Sequence, residues 1–80
     1  MSVEIDEFEW DEHNMGHLQA AHPHIDLKLL EDIMRQAKRY SQHGQDRFGK
    51  TVYSARGHGL RVLFNLKPGR MARIFSVRKA

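Results

Sequence analysis

Eighty residues without a cysteine make one domain with a small core, and exclude both a disulfide scaffold and a cysteine-based zinc site. A composition 40% hydrophobic and 29% charged is that of a folded chain rather than a disordered one. The net charge of +3 hides a sorting: residues 1–34 carry nine acids and one base, Lys28 (−8), whereas residues 35–80 carry twelve bases and one acid, Asp46 (+11). A basic half of that strength recruits phosphate-rich or acidic partners; the plainer alternative is solubility, with acids and bases pairing inside the fold.

Residues 1–10 are acidic and lack the basic and apolar regions of a signal peptide. No apolar run approaches the roughly 18–20 residues that span a bilayer. The expectation is a soluble, cytoplasmic protein with no membrane partner. Residues 3–10 read as a first strand, either bulged between Ile5 and Phe8 or confined to residues 8–10. Asp11 is a good N-cap, and Glu12 suits the positive end of a helix running to about Ala21, with Met15 and Leu18 as its stripe. Pro23 stops that helix by pushing the residue before it out of helical geometry. Asp26 caps a second helix to about Arg39, with Leu29, Leu30, Ile33, Met34 and Ala37 on one face and Lys38 and Arg39 in its last turn.

Residues 41–46 read as a polar loop, and from Arg47 the period changes to two. Strands are expected over 47–55, 60–66 and 71–78, separated by turns at 56–59 and 67–70. The order β-α-α-β-β-β predicts an α+β fold, with two helices packed on one face of a small antiparallel sheet. A two-residue Pro68-Gly69 turn would set Leu66 against Met71, Phe64 against Arg73, Val62 against Phe75 and Arg61 against Ser76. The uncovered face would then carry Arg61, Asn65, Ser76 and Arg78, with Arg47 or Lys50 joining from the next strand. Arg73 would fall on the apolar face, needing a bulge or an acidic partner from the first strand or helix. Arginine forks match phosphate oxygens, so this face is the candidate phosphate surface.

Several runs share an order and spacing with a known family. They are Phe8-Glu9-Trp10-Asp11 with Asn14, His17 and a helix end at His22 or His24; then Gly44-Gln45-Asp46-Arg47; then the strand from Gly59 through Leu60-Arg61-Val62-Leu63-Phe64. The ending Arg73-Ile74-Phe75-Ser76-Val77-Arg78-Lys79-Ala80 looks like that family's R-I-I-S-A-R-x-A signature. Over about residues 8–80 the chain resembles the BrnT-like type II toxins. The resemblance implies a single RelE-like domain over 1–80, metal-independent endoribonuclease action on RNA, no cofactor, and neutralisation by a cognate antitoxin protein. The chain departs from the pattern in stopping at Ala80, before the usual basic C-terminal helix, and in carrying Glu12 and His13 where the first helix is usually basic. It therefore resembles a short relative.

Metal-free RNA cleavage needs a base for the 2′-hydroxyl, cations for the phosphorane and an acid for the leaving 5′-oxygen. Arg61, Arg73 and Arg78 are the candidate catalytic cations, and Ser76 would orient the phosphate. Arg47, Lys50 and Arg56 are further phosphate contacts. His58 is the first choice of base or acid, with His43, His17 and Glu9 as alternatives. The plain readings are a solvated turn for His58 and surface charge for the arginines. His13 and His17 stand four apart on one helix face, a spacing compatible with metal, and His22 or His24 would supply a third ligand. No carboxylate is placed to complete such a site, so no metal is expected, and His17 is expected to pack on Trp10. Trp10 is a core residue or a base-stacking one, and Tyr40 is expected to be exposed. Three functions compete: the endoribonuclease, a non-catalytic module of the same fold that binds RNA or an acidic protein, and a protein-interacting subunit, possible homodimers included.

Overall fold

The computed structural model describes residues 5–37 and 40–79. In chain order the elements are β1 (Glu7–Phe8), α1 (Glu12–Ala21), α2 (Leu27–Gln36), β2 (Tyr40–Gln45), β3 (Thr51–Gly57), β4 (Leu60–Lys67) and β5 (Met71–Lys79). The strands form one sheet in the order β1-β5-β4-β3-β2. The α+β class and the two-helix layer are as expected. The sheet, however, is mixed: β1 runs parallel to β5, and every other pair is antiparallel.

The expected loop at 41–46 is in fact the edge strand β2. Its side chains are almost all exposed, so no alternation of apolar and polar residues announces it. What holds it is backbone pairing with β3, interrupted by a bulge between Gln42 and Gln45. The last strand of the meander, β5, lies beside β1 and runs parallel to it. Nor does a strand start at Arg47. The Asp46 carboxylate accepts from the backbone N–H groups of Phe48 (2.9 Å) and Lys50 (3.0 Å), which folds residues 46–50 into a turn and delays β3 to Thr51.

Helix α1 starts as the sequence requires. Asp11 accepts from the Asn14 N–H at 3.0 Å, and the Asn14 Oδ1 accepts from the Asp11 N–H at 2.8 Å, a capping box with asparagine in the third position. The helix ends at Ala21, with His22 before Pro23 out of helical geometry. Asp26 caps α2, accepting from Lys28 N–H, and α2 buries Leu30, Ile33 and Met34. It stops at Gln36, earlier than expected; Lys38 and Arg39 lie outside the described residues, as does the expected first-strand residue Val3.

The first strand is only two residues long because α1 takes over its task. The outward carbonyls of β5 and of Arg70 just before it form a series at residues 70, 72, 74 and 77. Arg70 O accepts from Asp6 N–H at 2.8 Å, and Ala72 O accepts from Glu9 N–H at 2.8 Å. Further along, Ile74 O accepts from the Asn14 side-chain amide at 3.0 Å, and Val77 O accepts from His22 Nε2 at 3.0 Å. Two side chains of the helical segment thus cap an edge that would otherwise invite a foreign strand. The jump from 74 to 77 in that series marks a bulge at Phe75, where the β4–β5 register shifts between Leu63 and Phe64.

That bulge, and the β4–β5 turn, overturn the expected hairpin register. Lys67 pairs with Met71 across a three-residue loop, so Asn65 faces Arg73, Phe64 faces Ile74, Leu63 faces Ser76 and Arg61 faces Arg78. A shift of one residue moves a side chain to the opposite face. Arg73 therefore leaves the apolar face, and its neighbours Ala72 and Ile74 are buried in the core. Ser76 keeps its face because the bulge restores the parity.

One core lies between the helices and the inner face, built from Leu18 of α1, Leu30, Ile33 and Met34 of α2, and Ala55, Val62, Phe64, Ala72, Ile74 and Val77 of the sheet. Phe64 is its centre: Tyr53 stacks on it at 5.7 Å and Tyr40 meets it edge-on at 5.8 Å. Tyr40 is half-buried, not exposed as expected, and its hydroxyl donates to Met34 O at the end of α2. Burial raises the Tyr40 hydroxyl above its ordinary pKa. Trp10 packs on the core and donates from Nε1 to Glu31 at 2.7 Å. At Gly57 a Cβ would stand 3.1 Å from Ile33 Cγ2, so the absence of a side chain lets α2 approach β3 closely. Among the described residues no helix is long and apolar enough to cross a membrane.

Candidate nucleic-acid interface

Alternation on the central strands sends Ala55, Val62 and Val77 inward and their neighbours Arg56, Arg61 and Arg78 outward. Arg56 pairs directly with Arg61, and Arg61 directly with Arg78. Three arginines on three adjacent strands thus form one row across the uncovered face. Among the described residues none of the three takes part in an ion pair. The Nε of Arg61 is buried and without a hydrogen-bond partner. Like charges placed directly opposite on paired strands repel, so this row is held together by the fold against its own electrostatics.

Histidines stand on either side of the row. His58 lies in the two-residue β3–β4 turn, one step beyond the closing pair Gly57–Leu60. Both turn residues have positive φ (52° at His58, 72° at Gly59), the geometry of a hairpin turn whose twist matches its strands. On the other side, His43 of β2 places Nε2 2.7 Å from the Ser54 hydroxyl. Ser54 is buried, and it lies two residues from Arg56, about 7 Å along β3. Ser76 is paired with Leu63 in the neighbouring row of the same face.

The second group of expected residues gathers at the opposite end of the sheet. Arg47, Lys50 and Arg73 line a cleft of about 380 Å³ between α1 and the 46–50 turn. His13 and His17 form its α1 wall, with Asn65 and Phe75 below. His17 is exposed there. Arg73 is not free for a phosphate: it donates to Glu9 Oε1 at 2.9 Å and to Asp11 Oδ2 at 2.6 Å. Lys67 joins the network, donating to Glu9 Oε2 at 2.6 Å. Hydrogen bonding from Arg73, then from the Asn14 backbone, holds Asp11 down at about 2. Lys67 first, and then Arg73, lower Glu9. The two acids in turn raise Arg73, Asp11 most strongly. Asp46 is lowered chiefly by the Lys50 N–H.

His22, considered above as a third metal ligand, is engaged with Val77 O. Among the described residues no cluster of three or more His, Asp or Glu side chains is arranged to hold a metal ion. The structure thus joins Arg56, Arg61 and Arg78, with His58 in the adjoining turn, and separately joins Arg47, Lys50 and Arg73. Sequence reasoning named His43 and Asn65 but missed the pairing of His43 with Ser54, because it depends on β2. The Asp46-x-Phe48-Gly49 turn carried a usable signal: aspartate followed by glycine in a polar run. Comparison of the chain with protein-family models, with curated proteins and with solved structures gives no match.

Proposed function

We propose that this chain binds single-stranded RNA across its open sheet face and cleaves it without a metal, as a small RelE-like toxin of the BrnT-like kind. The observation that carries the reading is the row Arg56, Arg61 and Arg78, three arginines paired across adjacent strands, none of them in an ion pair among the described residues. A phosphodiester seated on the row relieves the repulsion and receives bidentate hydrogen bonds. His43 is the base in this mechanism. The mechanism takes the tautomer in which Nε2 donates to the Ser54 hydroxyl, 2.7 Å away, so that Nδ1 keeps its lone pair and takes the proton of the 2′-hydroxyl. The 2′-oxygen then attacks phosphorus and the P–O5′ bond breaks. His58, beyond the row, protonates the departing 5′-oxygen, giving a 2′,3′-cyclic phosphate and a 5′-hydroxyl. The arginines stabilise the charge that grows on the phosphoryl oxygens.

An antitoxin protein fits this scheme as an acidic surface competing with RNA for the row. The test is an RNA cleavage assay in EDTA with wild type, Arg61→Ala and Arg78→Ala, with folding followed by circular dichroism. Cleavage by wild type alone is the expected result. Intact RNA with wild type, together with RNA binding that ignores salt, overturns the reading. One observation favours a second reading, a non-catalytic RNA-binding module of the same fold: Arg73, a catalytic cation by resemblance, is neutralised by Glu9 and Asp11. That reading expects binding with a log-affinity against log-salt slope near −2 for three phosphate contacts to a single strand, and no cleavage.

A further inference from the structure

The cleft between α1 and the 46–50 turn is the second place where an oligonucleotide would touch this protein, and we propose that it holds one unpaired base of the strand whose phosphates lie on the arginine row. The inference rests on the RNA reading and adds to it a base subsite with named residues. Three observations converge. The cleft, at about 380 Å³, falls in the size range of small-ligand sites, roughly 300–1,000 Å³. Its rim carries Phe48, 72% exposed and the single large apolar side chain left in solvent among the described residues. Exposing a phenyl ring to water is unfavourable, and a base stacked on it would restore the burial. Arg47 already lies over that ring, 5.1 Å from its centroid, so a planar cation and an aromatic face are presented together.

The charges of the cleft agree with this occupant. Its single carboxylate, Asp46, is engaged by the N–H groups of Phe48 and Lys50. Arg73 is engaged by Glu9 and Asp11. Arg47 and Lys50 are in no ion pair among the described residues, and they flank Phe48 on either side in sequence. An aromatic residue between two cations is a stacking platform with a phosphate contact on each side. His13 and His17 supply ring nitrogens from the facing wall to the edge of the base. Asn65 forms part of the floor and pairs with Arg73, four residues along β4 from Arg61, or about 13 Å. A ligand held at both ends is therefore an oligonucleotide, not a mononucleotide. A duplex keeps its bases stacked inside and has no base to offer Phe48.

The experiment is fluorescence anisotropy with a labelled single-stranded RNA hexamer and the same sequence as a duplex, against wild type, Phe48→Ala, Phe48→Trp and Arg61→Ala. Phe48 is exposed, so its replacement leaves the fold standing. Phe48→Ala should weaken the single strand roughly tenfold with an unchanged salt slope, leave duplex affinity alone, and be rescued by Phe48→Trp. Arg61→Ala should instead reduce the salt slope by about 0.7. If Phe48→Ala binds the single strand like wild type while Arg61→Ala weakens it, the base subsite is wrong and the RNA reading survives. If wild type binds polyglutamate but neither RNA, both fall and the face belongs to an acidic protein.

Discussion

Replacing Arg61 by methionine should make the free protein more stable and the RNA-bound protein less so. Arg61 sits between Arg56 and Arg78 with a directly opposite like charge on each side. Each such pair opposes folding by roughly 0.2–1 kcal/mol. Its buried Nε lacks a partner, an arrangement that costs about 1–3 kcal/mol. Methionine keeps the apolar stem against the sheet and removes both the charge and the Nε. A conservative net gain is about 1–2 kcal/mol, which for a domain of this size raises the melting temperature by roughly 5–15 °C.

Thermal melts at low salt, in 1 M salt, and with an RNA hexamer separate the contributions. The repulsive part shrinks in 1 M salt, where the screening length is about 3 Å, while the Nε part remains. Added RNA at about a hundred times its Kd stabilises wild type by about 2.7 kcal/mol, and Arg61→Met by much less, so the ranking of the two proteins reverses. If Arg61→Met melts below wild type at low salt, the row is not under electrostatic load and the central argument for an anion on this face fails.

Three further outcomes follow from the geometry. Asn14→Ala removes the amide that donates to Ile74 O and Glu9 O, and should destabilise the fold by about 2–4 kcal/mol in urea titration, with exchange of the β5 amides rising first. Gly57→Ala should cost about 1 kcal/mol, because its Cβ lies 3.1 Å from Ile33 and α2 must shift by a few tenths of an ångström; an unchanged urea midpoint would show that α2 yields freely. The depressed carboxyl of Asp11 makes the third. Its stabilising effect is complete above its ordinary value of 3.8 and is lost as pH falls toward about 2, with Glu9 acting in the same direction; Asp11→Asn should flatten that acid limb of the urea midpoint, and a limb of unchanged steepness would place the acid sensitivity elsewhere.

Local chemistry was legible in the sequence and non-local pairing was not. Asp11, Asp26 and Pro23 act on neighbours within a few residues, so the helix starts and the stop at Pro23 could be read directly. The core face of α2 follows from its spacing alone. Strand β2 escaped because an exposed edge strand has no apolar face to reveal its period. The register of β4 and β5 escaped because it turns on a three-residue loop and on a bulge at Phe75, and neither leaves a mark in composition. Those two misses explain why the expected residues are arranged differently in the structure. Without β2 there is no His43 beside Ser54, and in the expected register Arg61 faces Ser76 instead of Arg78. Arg61 and Arg78 were still placed on the open face, because their parity against Val62 and Val77 survives either register.

The charge sorting noted at the outset has a geometric resolution. The acidic segment of β1 and the start of α1 lies along the first half of β5, where it meets the bases at that end: Asp6 with Arg70, Glu9 with Lys67 and Arg73, Asp11 with Arg73. Glu31 pairs within α2 with Arg35. None of these acids reaches the other end of the sheet, because the chain leaves the β5 edge after Glu9 and capping passes to neutral or carbonyl-directed groups, Asn14 and His22. Acid–base pairing inside the fold and an unpaired cationic surface are therefore both true, at opposite ends of one sheet. Extending the acidic cover would test which end matters. Replacing exposed Gln19 of α1, between Asn14 and His22, with glutamate adds a negative charge to the helix whose side chains reach Ile74 O and Val77 O, and should weaken RNA binding with a salt dependence that the same change at the last residue of α2, Gln36→Glu, lacks.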